Sequence, residues 1–389
     1  MLRLLHTADV HLGARHTDLG DRAAALRDRS FAAFRASVDL AIKEKVDLFL
    51  IAGDLFDSNA QPRRSVERVA AELHRLLSAG IRTVAIPGTH DVYDRASVYR
   101  AYDLPAMAGA APGEDWVTVL TPERGERHLA AIDAIVYGRV FDTKRAPYSP
   151  LRDPLVGDDD RATWRIGLLH AAIEIPGRVE RDEVIVTVDE IAASGLDYLA
   201  LGHWHSPQQG LAGSTTWAYA GAPEPVAVDQ DHAGSVLLVT LDEAKAERSV
   251  RIEKRAVGRT RYESVDLDAA AIGSQPALVE RLRSMADPDL VLDVRLTGIR
   301  PDGLDLSTDE VEADLRDACF RIRIRDRSLP PLPADSEVPP PDTVAGAFVR
   351  DVEGRVAELE AAGQGDDAAE LRDALRIGRL LLAGHEVTL

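Results

Sequence analysis

The sequence has a single cysteine, Cys319, in 389 residues. That excludes an intramolecular disulfide, a thiolate-bound zinc cluster and a Cys-X-X-Cys redox pair. It leaves Cys319 as a small core residue on a predicted helix. Aromatic residues make up 5% of the chain, too few for a base-stacking platform. No apolar run reaches the roughly 18 residues of a membrane-spanning helix. The opening stretch from Met1 to Asp9 lacks a basic segment followed by an apolar one, so no secretory leader is expected and a cytoplasmic protein fits best. Positive charge is scarce: 46 Lys and Arg face 65 Asp and Glu, for a net charge of −19. Binding nucleic acid by bulk charge is therefore excluded. The deficit is uneven, because residues 301–389 hold 20 acidic and 10 basic side chains. A local phosphate site elsewhere in the chain stays open.

What is present is enough apolar sequence, 45%, for a sizeable core. The length suggests about two to three domains. The first half alternates two kinds of segment. Leu2–Ala8, Asp47–Ala52, Ile81–Ile86, Trp164–Leu169 and Asp197–Leu201 are short apolar runs that read as buried strands. Residues 22–45 and 62–79 carry apolar side chains at helical spacing. The pattern predicts an α/β layered domain over about residues 1–250. Leu290–Leu296 and Arg321–Arg325 then alternate like half-exposed strands. Ser307 and Glu310 form a capping-box signature ahead of Val311 between them. A small α+β domain is expected over 258–328. Six prolines between Pro330 and Pro341 predict a stiff linker, 329–342. The remainder, 343–389, reads as a helical tail broken near Gly363-Gln364-Gly365.

Polar clusters stand where the strand signals end. In order they are Asp9-Val10-His11, Gly53-Asp54-Leu55-Phe56-Asp57, Gly88-Thr89-His90-Asp91, His170, and Gly202-His203-Trp204-His205. In open α/β sheets, ligands gather at the carboxyl ends of strands, so the five clusters predict one composite site. Carboxylates and imidazoles without thiolate suit divalent ions such as Mn²⁺, Fe²⁺ or Zn²⁺. Two such ions about 3.5–4 Å apart can hold a phosphate and generate hydroxide from water. They would also bring positive charge to an acidic chain.

The set resembles the calcineurin-like metallophosphoesterase superfamily, with its D-X-H, G-D-X-X-D, G-N-H-D/E, H and G-H-X-H pattern. The opening Leu5-His6-Thr7-Ala8-Asp9-Val10-His11-Leu12-Gly13 narrows it to the bacterial SbcD nuclease family and its YhaO-type relatives. The resemblance covers about residues 1–245. It implies a layered α/β/β/α sandwich, with the small α+β domain as a cap. It also implies two divalent ions, with Mn²⁺ ahead of Fe²⁺, Zn²⁺ or Mg²⁺. Asp9, His11, Asp54 and His205 would hold the first; Asp54, Thr89, His170 and His203 would hold the second. His90 would protonate the leaving oxygen, with Asp91 orienting its ring. The implied function is DNA phosphodiester hydrolysis beside an SbcC-like coiled-coil ATPase docked on the tail, with a homodimer in view. A small-substrate phosphoesterase and a catalytically weakened scaffold subunit remain as alternatives. One departure stands out: the family usually has Asn where this chain has Thr89, and a threonine hydroxyl is a shorter, weaker ligand than an amide oxygen.

Overall fold

The computed structural model describes residues 1–382, apart from 154, 158–161, 175–183, 228–229, 231, 245–246, 302, 330–338 and 341. The chain divides into two compact units, Met1–Arg261 and Tyr262–Leu389.

The first unit begins with alternation of strand and helix. Strand β1 (Leu2–Thr7) leads to α1 (Ala23–Glu44), β2 (Leu48–Ala52), α2 (Arg63–Ser78) and β3 (Arg82–Ile86). Two short helices, α3 (Val98–Ala101) and α4 (Leu104–Met107), precede β4 (Val117–Val119). Strands β5 (Glu126–Leu129), β6 (Ala134–Tyr137) and β7 (Trp164–His170) follow. After the short pair β8 (Ala172–Ile173) and β9 (Ile185–Val186) come α5 (Val188–Ala193) and β10 (Tyr198–Gly202). The unit closes with β11 (Gln208–Ala212), β12 (Thr215–Tyr219) and the long hairpin of β13 (Ser235–Ala244) and β14 (Glu247–Ala256).

These strands form two six-stranded sheets, ordered β14-β13-β1-β2-β3-β4 and β11-β12-β10-β7-β6-β5. Within the first, β1, β2, β3 and β4 are parallel. Within the second, β12, β10, β7 and β6 are parallel. Side-chain alternation divides each central strand between two cores. Leu4, Leu48 and Leu50 face Ile166, Leu168, Tyr198 and Ala200 across the space between the sheets. On the far side of the first sheet, Leu5, Phe49 and Ile51 pack against Phe34 and Val38 of α1 and Val69 and Leu73 of α2. On the far side of the second, Leu199 and Leu201 pack with Ile191 of α5. The result is the expected helix–sheet–sheet–helix stack. Each fully buried Leu, Ile, Val or Phe among these contributes about 1.5–3 kcal/mol by leaving water.

The sequence pattern missed the β13–β14 hairpin, and the expected boundary at 250 falls inside β14. For β14 the reason is visible in Glu247–Ala256, where charged residues crowd a sheet edge and hide the strand among polar signals; β13 carries an apolar run, Val236–Val239, that was passed over.

In the second unit, β15 (Arg261–Asp268), α6 (Gln275–Met285), β16 (Leu290–Thr297), α7 (Thr308–Leu315) and β17 (Arg321–Asp326) build a three-stranded sheet ordered β15-β16-β17. Leu292, Val294 and Leu296 of β16 and Ile322 and Ile324 of β17 join Leu278, Leu282, Val311, Leu315 and Cys319 in its core. Ser307 caps α7 by accepting from Glu310 N–H at 3.4 Å. Most of the proline-rich segment lies outside the described residues. Helices α8 (Val344–Ala361) and α9 (Gly365–Leu382) follow, with the break where the glycines stand. Their apolar stripes meet each other: Val352, Val356 and Ala368 are buried among Phe348, Leu359, Leu371 and Leu375. Among the described residues, no helix is long and apolar enough to cross a membrane.

Candidate metal centre

The loops after β1, β2, β3, β7 and β10 meet at the carboxyl ends of the two parallel sets. Parallel pairing continues past the strands. Asp9 N–H bonds Gly53 O at 3.1 Å, His11 N–H bonds Asp54 O at 3.0 Å and Leu12 N–H bonds Leu55 O at 3.0 Å. Four residues here, Asp9 (φ 52°), His11 (φ 50°), Asp54 (φ 49°) and His203 (φ 104°), sit in the left-handed region. That conformation is uncommon for non-glycine residues and costs about 1–3 kcal/mol each where it occurs, and it clusters at functional sites. Gly53 and Gly88 are among the glycines required by close approach. A Cβ at Gly53 would overlap the His170 ring, and one at Gly88 would overlap the Asp54 carboxylate.

The side chains converge. Asp54 Oδ2 lies 3.2 Å from His170 Nε2, 3.9 Å from His11 Nε2 and 3.4 Å from the Thr89 hydroxyl, which donates to it. Its other oxygen, Oδ1, accepts from His90 N–H at 2.7 Å. Asp9 accepts from His203 N–H through both oxygens, at 3.0 and 3.2 Å. His11 Nε2 lies 3.1 Å from His205 Nε2. Among the described residues, three groups of ligand atoms are close enough to grip a cation: Asp9–His11–His205, Asp9–Asp54–His170 and His11–Asp57–His90. The His203 ring stands beside that of His170, centroids 5.4 Å apart, and falls outside those three groups.

Burial polarises the cluster. It opposes a charge on His170, but the Asp54 and Asp9 carboxylates prevail and push the imidazole up to about 10. Burial pulls Asp54 upward, yet His170 and His11 hold it well below the usual carboxylate range. Asp9 is pushed up to about 6, by burial first and by Asp54. Burial would lower His11, but its hydrogen bond to Asp57 and the charges of Asp54 and Asp9 raise it. Burial, then the His11 ring, pushes His205 down to about 3.

His90 stands at the mouth of the cluster, its side chain 47% exposed. Its ring lies edge-on to His11 at 4.6 Å between centroids. The expectation that Asp91 orients this ring is corrected. Asp91 is fully buried, and its carboxylate is claimed by Gly88 N–H at 2.7 Å, Phe56 N–H at 3.1 Å and the Tyr99 hydroxyl at 2.6 Å. The atom that meets His90 Nδ1 is the carbonyl oxygen of Asp57, at 3.1 Å. Asp57 also meets His11 Nδ1 through Oδ1, at 3.3 Å. Sequence reasoning placed Asp57 in a polar cluster but gave it no role, and it passed over Tyr99 and Gln230, the partner of His205. Asp57 was findable from its place in the Gly53–Asp57 cluster. Tyr99 and Gln230 stand in no motif.

Comparison with known proteins gives the family. The calcineurin-like phosphoesterase family model matches residues 2–207, more than half of the chain. The chain is 31% identical over 274 residues to the DNA double-strand break repair protein Mre11 of Aeropyrum pernix, covering 66% of this chain and 62% of that protein. It is 27% identical over 216 residues to the uncharacterized metallophosphoesterase YhaO of Bacillus subtilis, covering 53% and 49%. It is 26% identical over 280 residues to a subunit of the SbcCD nuclease of Bacillus subtilis, covering 63% and 66%. The chain thus spans about half to two thirds of the length of these relatives. It belongs to the calcineurin-like phosphoesterase family.

Proposed function

We propose that the chain is a metal-dependent DNA nuclease subunit, hydrolysing phosphodiester bonds with two divalent ions, Mn²⁺ foremost, in DNA repair or processing in the cytoplasm. The observation that carries this reading is Asp54 Oδ2, buried and faced by His170, Thr89 and His11 within 3.2–3.9 Å, beside the half-exposed His90.

The residues fit such ions. The donors are carboxylates and imidazoles, the set that suits borderline divalent metals. His170 Nε2 is buried and faces the Asp54 carboxylate at 3.2 Å without forming a well-aligned hydrogen bond to it. Asp9 and Asp54 are buried side by side, an arrangement that calls for positive charge between them. Asp9, His11, Asp54 and His205 would hold one ion; Asp54, Thr89, His170 and His203 would hold the other, with Asp54 shared. Bound there, the ions supply Lewis-acid polarisation of the phosphate and activation of water. The chain does the rest. The Asp57 carbonyl accepts from Nδ1–H and fixes the His90 ring. The protonated ring then has one donor left, Nε2–H, for the departing sugar oxygen.

The relatives named as a double-strand break repair protein and as part of a nuclease support DNA as substrate and a setting with more than one kind of chain. An SbcC-like coiled-coil ATPase would supply the basic surface that an acidic chain lacks. The α8–α9 hairpin, whose ends leave Val344, Leu381 and Leu382 exposed, would be its docking point, and a homodimer would pair two such sites.

Nucleotide release from linear duplex DNA, measured beside hydrolysis of a chromogenic phosphodiester with Mn²⁺ titrated, tests the reading. Release that rises with the ion supports it. Chromogenic turnover with intact DNA would turn the assignment to a small-substrate phosphoesterase.

A further inference from the structure

Between β3 and α3 the chain runs through residues 87–97 as turns and bends. Such a segment has no ladder of its own, so partners from elsewhere must set its shape. It carries His90. At its near end it is tied to the loop after β2: His90 N–H donates to Asp54 Oδ1 at 2.7 Å, and Asp91 accepts from Phe56 N–H at 3.1 Å. At its far end it is held by Asn59. The Asn59 Nδ2 group donates to Val92 O at 2.8 Å and to Asp94 Oδ1 at 3.3 Å, while Oδ1 accepts from Val98 N–H at 3.0 Å.

These three contacts fix the direction of the amide. Turned over, it would set its oxygen against a carbonyl and a carboxylate, and its NH₂ against an N–H. Val98 opens α3, and the first N–H groups of a helix have no partner inside it. The position therefore needs an acceptor and a donor at once. A carboxylate of the same shape supplies only the first, and an apolar side chain supplies neither. The backbone around Asn59 is secured without the amide, because Asp57 N–H bonds Leu12 O at 3.1 Å and Gln61 N–H bonds Asn59 O at 3.0 Å.

The same two segments meet at the His90 ring, whose Nδ1 lies 3.1 Å from Asp57 O. The Asn59–Val92 contact is the next rung, two residues further along each segment. We propose that Asn59 is a positioning residue for His90: it clasps residues 87–97 to the loop after β2, so that the ring keeps its seat on the Asp57 carbonyl and its aim at the departing oxygen. The inference rests on the reading of His90 as proton donor given above. Asn59 is not among the ligands of either ion in that reading, so its loss should be felt in proton delivery and not in ion holding.

The test compares leaving groups. A departing sugar oxygen needs a proton, whereas a nitrophenolate, a far weaker base, leaves without one. Turnover of the full chain with Mn²⁺ is measured on linear duplex DNA and on a chromogenic nitrophenyl diester. Asn59→Ala should slow DNA hydrolysis about tenfold and the chromogenic reaction by less than about twofold, with metal content at the wild-type level. In a His90→Ala background it should slow DNA hydrolysis no further, since it acts through that ring. Asn59→Asp keeps the shape but not the donor; it should give the same pattern, and it carries the test if the alanine variant fails to fold. Equal losses on the two substrates, or a loss that adds in full to that of His90→Ala, overturn the proposal. Hydrogen exchange supplies an arm that needs no turnover. Amides of residues 88–98 should exchange about tenfold faster in the variant while those of α2 keep their rates, and unchanged exchange over 88–98 also overturns the proposal. Failure of the proton-donor reading looks different: His90→Ala itself would lose as much on the nitrophenyl diester as on DNA, while the exchange arm would still judge the clasp.

Discussion

The cluster has a deep, buried side and a shallow, exposed side, and they are built differently. On the deep side Asp9, His11, Asp54 and His170 are 1–6% exposed. They stand at or just beyond strand ends, three of them in left-handed backbone, and each is met by another member of the cluster. On the shallow side, Thr89 and His90 occupy the irregular segment after β3, and His90 is nearly half exposed. Buried like charges are costly without a cation, so the deep side is suited to holding ions permanently. An exposed imidazole with one nitrogen fixed is suited to a substrate that arrives and leaves. On the proposed roles, burial would separate ion holding from proton delivery within a few ångströms.

The sharpest way to break that comparison is to remove its deepest member. Asp54→Ala takes away the oxygen that faces His170, Thr89 and His11. Both ions should be lost, as read by metal content, and turnover should fall by about three orders of magnitude or more. A variant that kept both ions would show that the deep side is not organised around this carboxylate. His90→Ala tests the shallow side in the opposite sense. Metal content should stay at the wild-type level while turnover falls by about 10²–10⁴-fold. Equal loss of ions in the two variants would erase the distinction.

The deep side was largely legible in the sequence, and the reason is geometric. A residue one or two positions past a buried strand has few places to go, so Asp9, Asp54, His170 and His203 could be located from apolar runs alone. The parallel pairing of β1 with β2 and of β7 with β10 then brings those ends together. The shallow side was less legible. Asp91 was assigned by adjacency to His90, but adjacency in an irregular segment does not fix direction. Three donors from other parts of the chain decided where its carboxylate went. Tyr99 and Gln230 lie outside any pattern, and only tertiary contact reveals them. In the fold, most of the strands flanking the site were readable from apolar runs; β14, a charged edge strand, was hidden, and β13 was passed over although Val236–Val239 is apolar.

The corrected role of Asp91 sets the next prediction in order of size. Its carboxylate joins the Asp54 loop, through Phe56 N–H, to the His90 loop, through Gly88 N–H. In Asp91→Asn an amide NH₂ would face a donor, and the ion-free protein should lose about 2 kcal/mol in urea denaturation. Turnover should fall less than in His90→Ala, since the His90 ring keeps its Asp57 carbonyl. A loss of turnover as large as that of His90→Ala, with unchanged stability, would restore Asp91 as the partner of the ring.

Thr89 lies on the boundary between the two sides, and its expected effect is the smallest. Its hydroxyl donates to Asp54 Oδ2 at 3.4 Å, a long contact to the oxygen proposed to be shared by the two ions. An asparagine there would reach further and offer a carbonyl oxygen, a better neutral ligand for a hard cation. Thr89→Asn should therefore tighten the weaker ion severalfold and raise turnover when Mn²⁺ is limiting, with the two proteins converging at saturating ion. Calorimetry and initial rates over the same titration check both parts. If affinity and rate stay unchanged, the threonine shell is already as good as an amide one, and the boundary between holding and delivering lies above residue 89, at His90 alone.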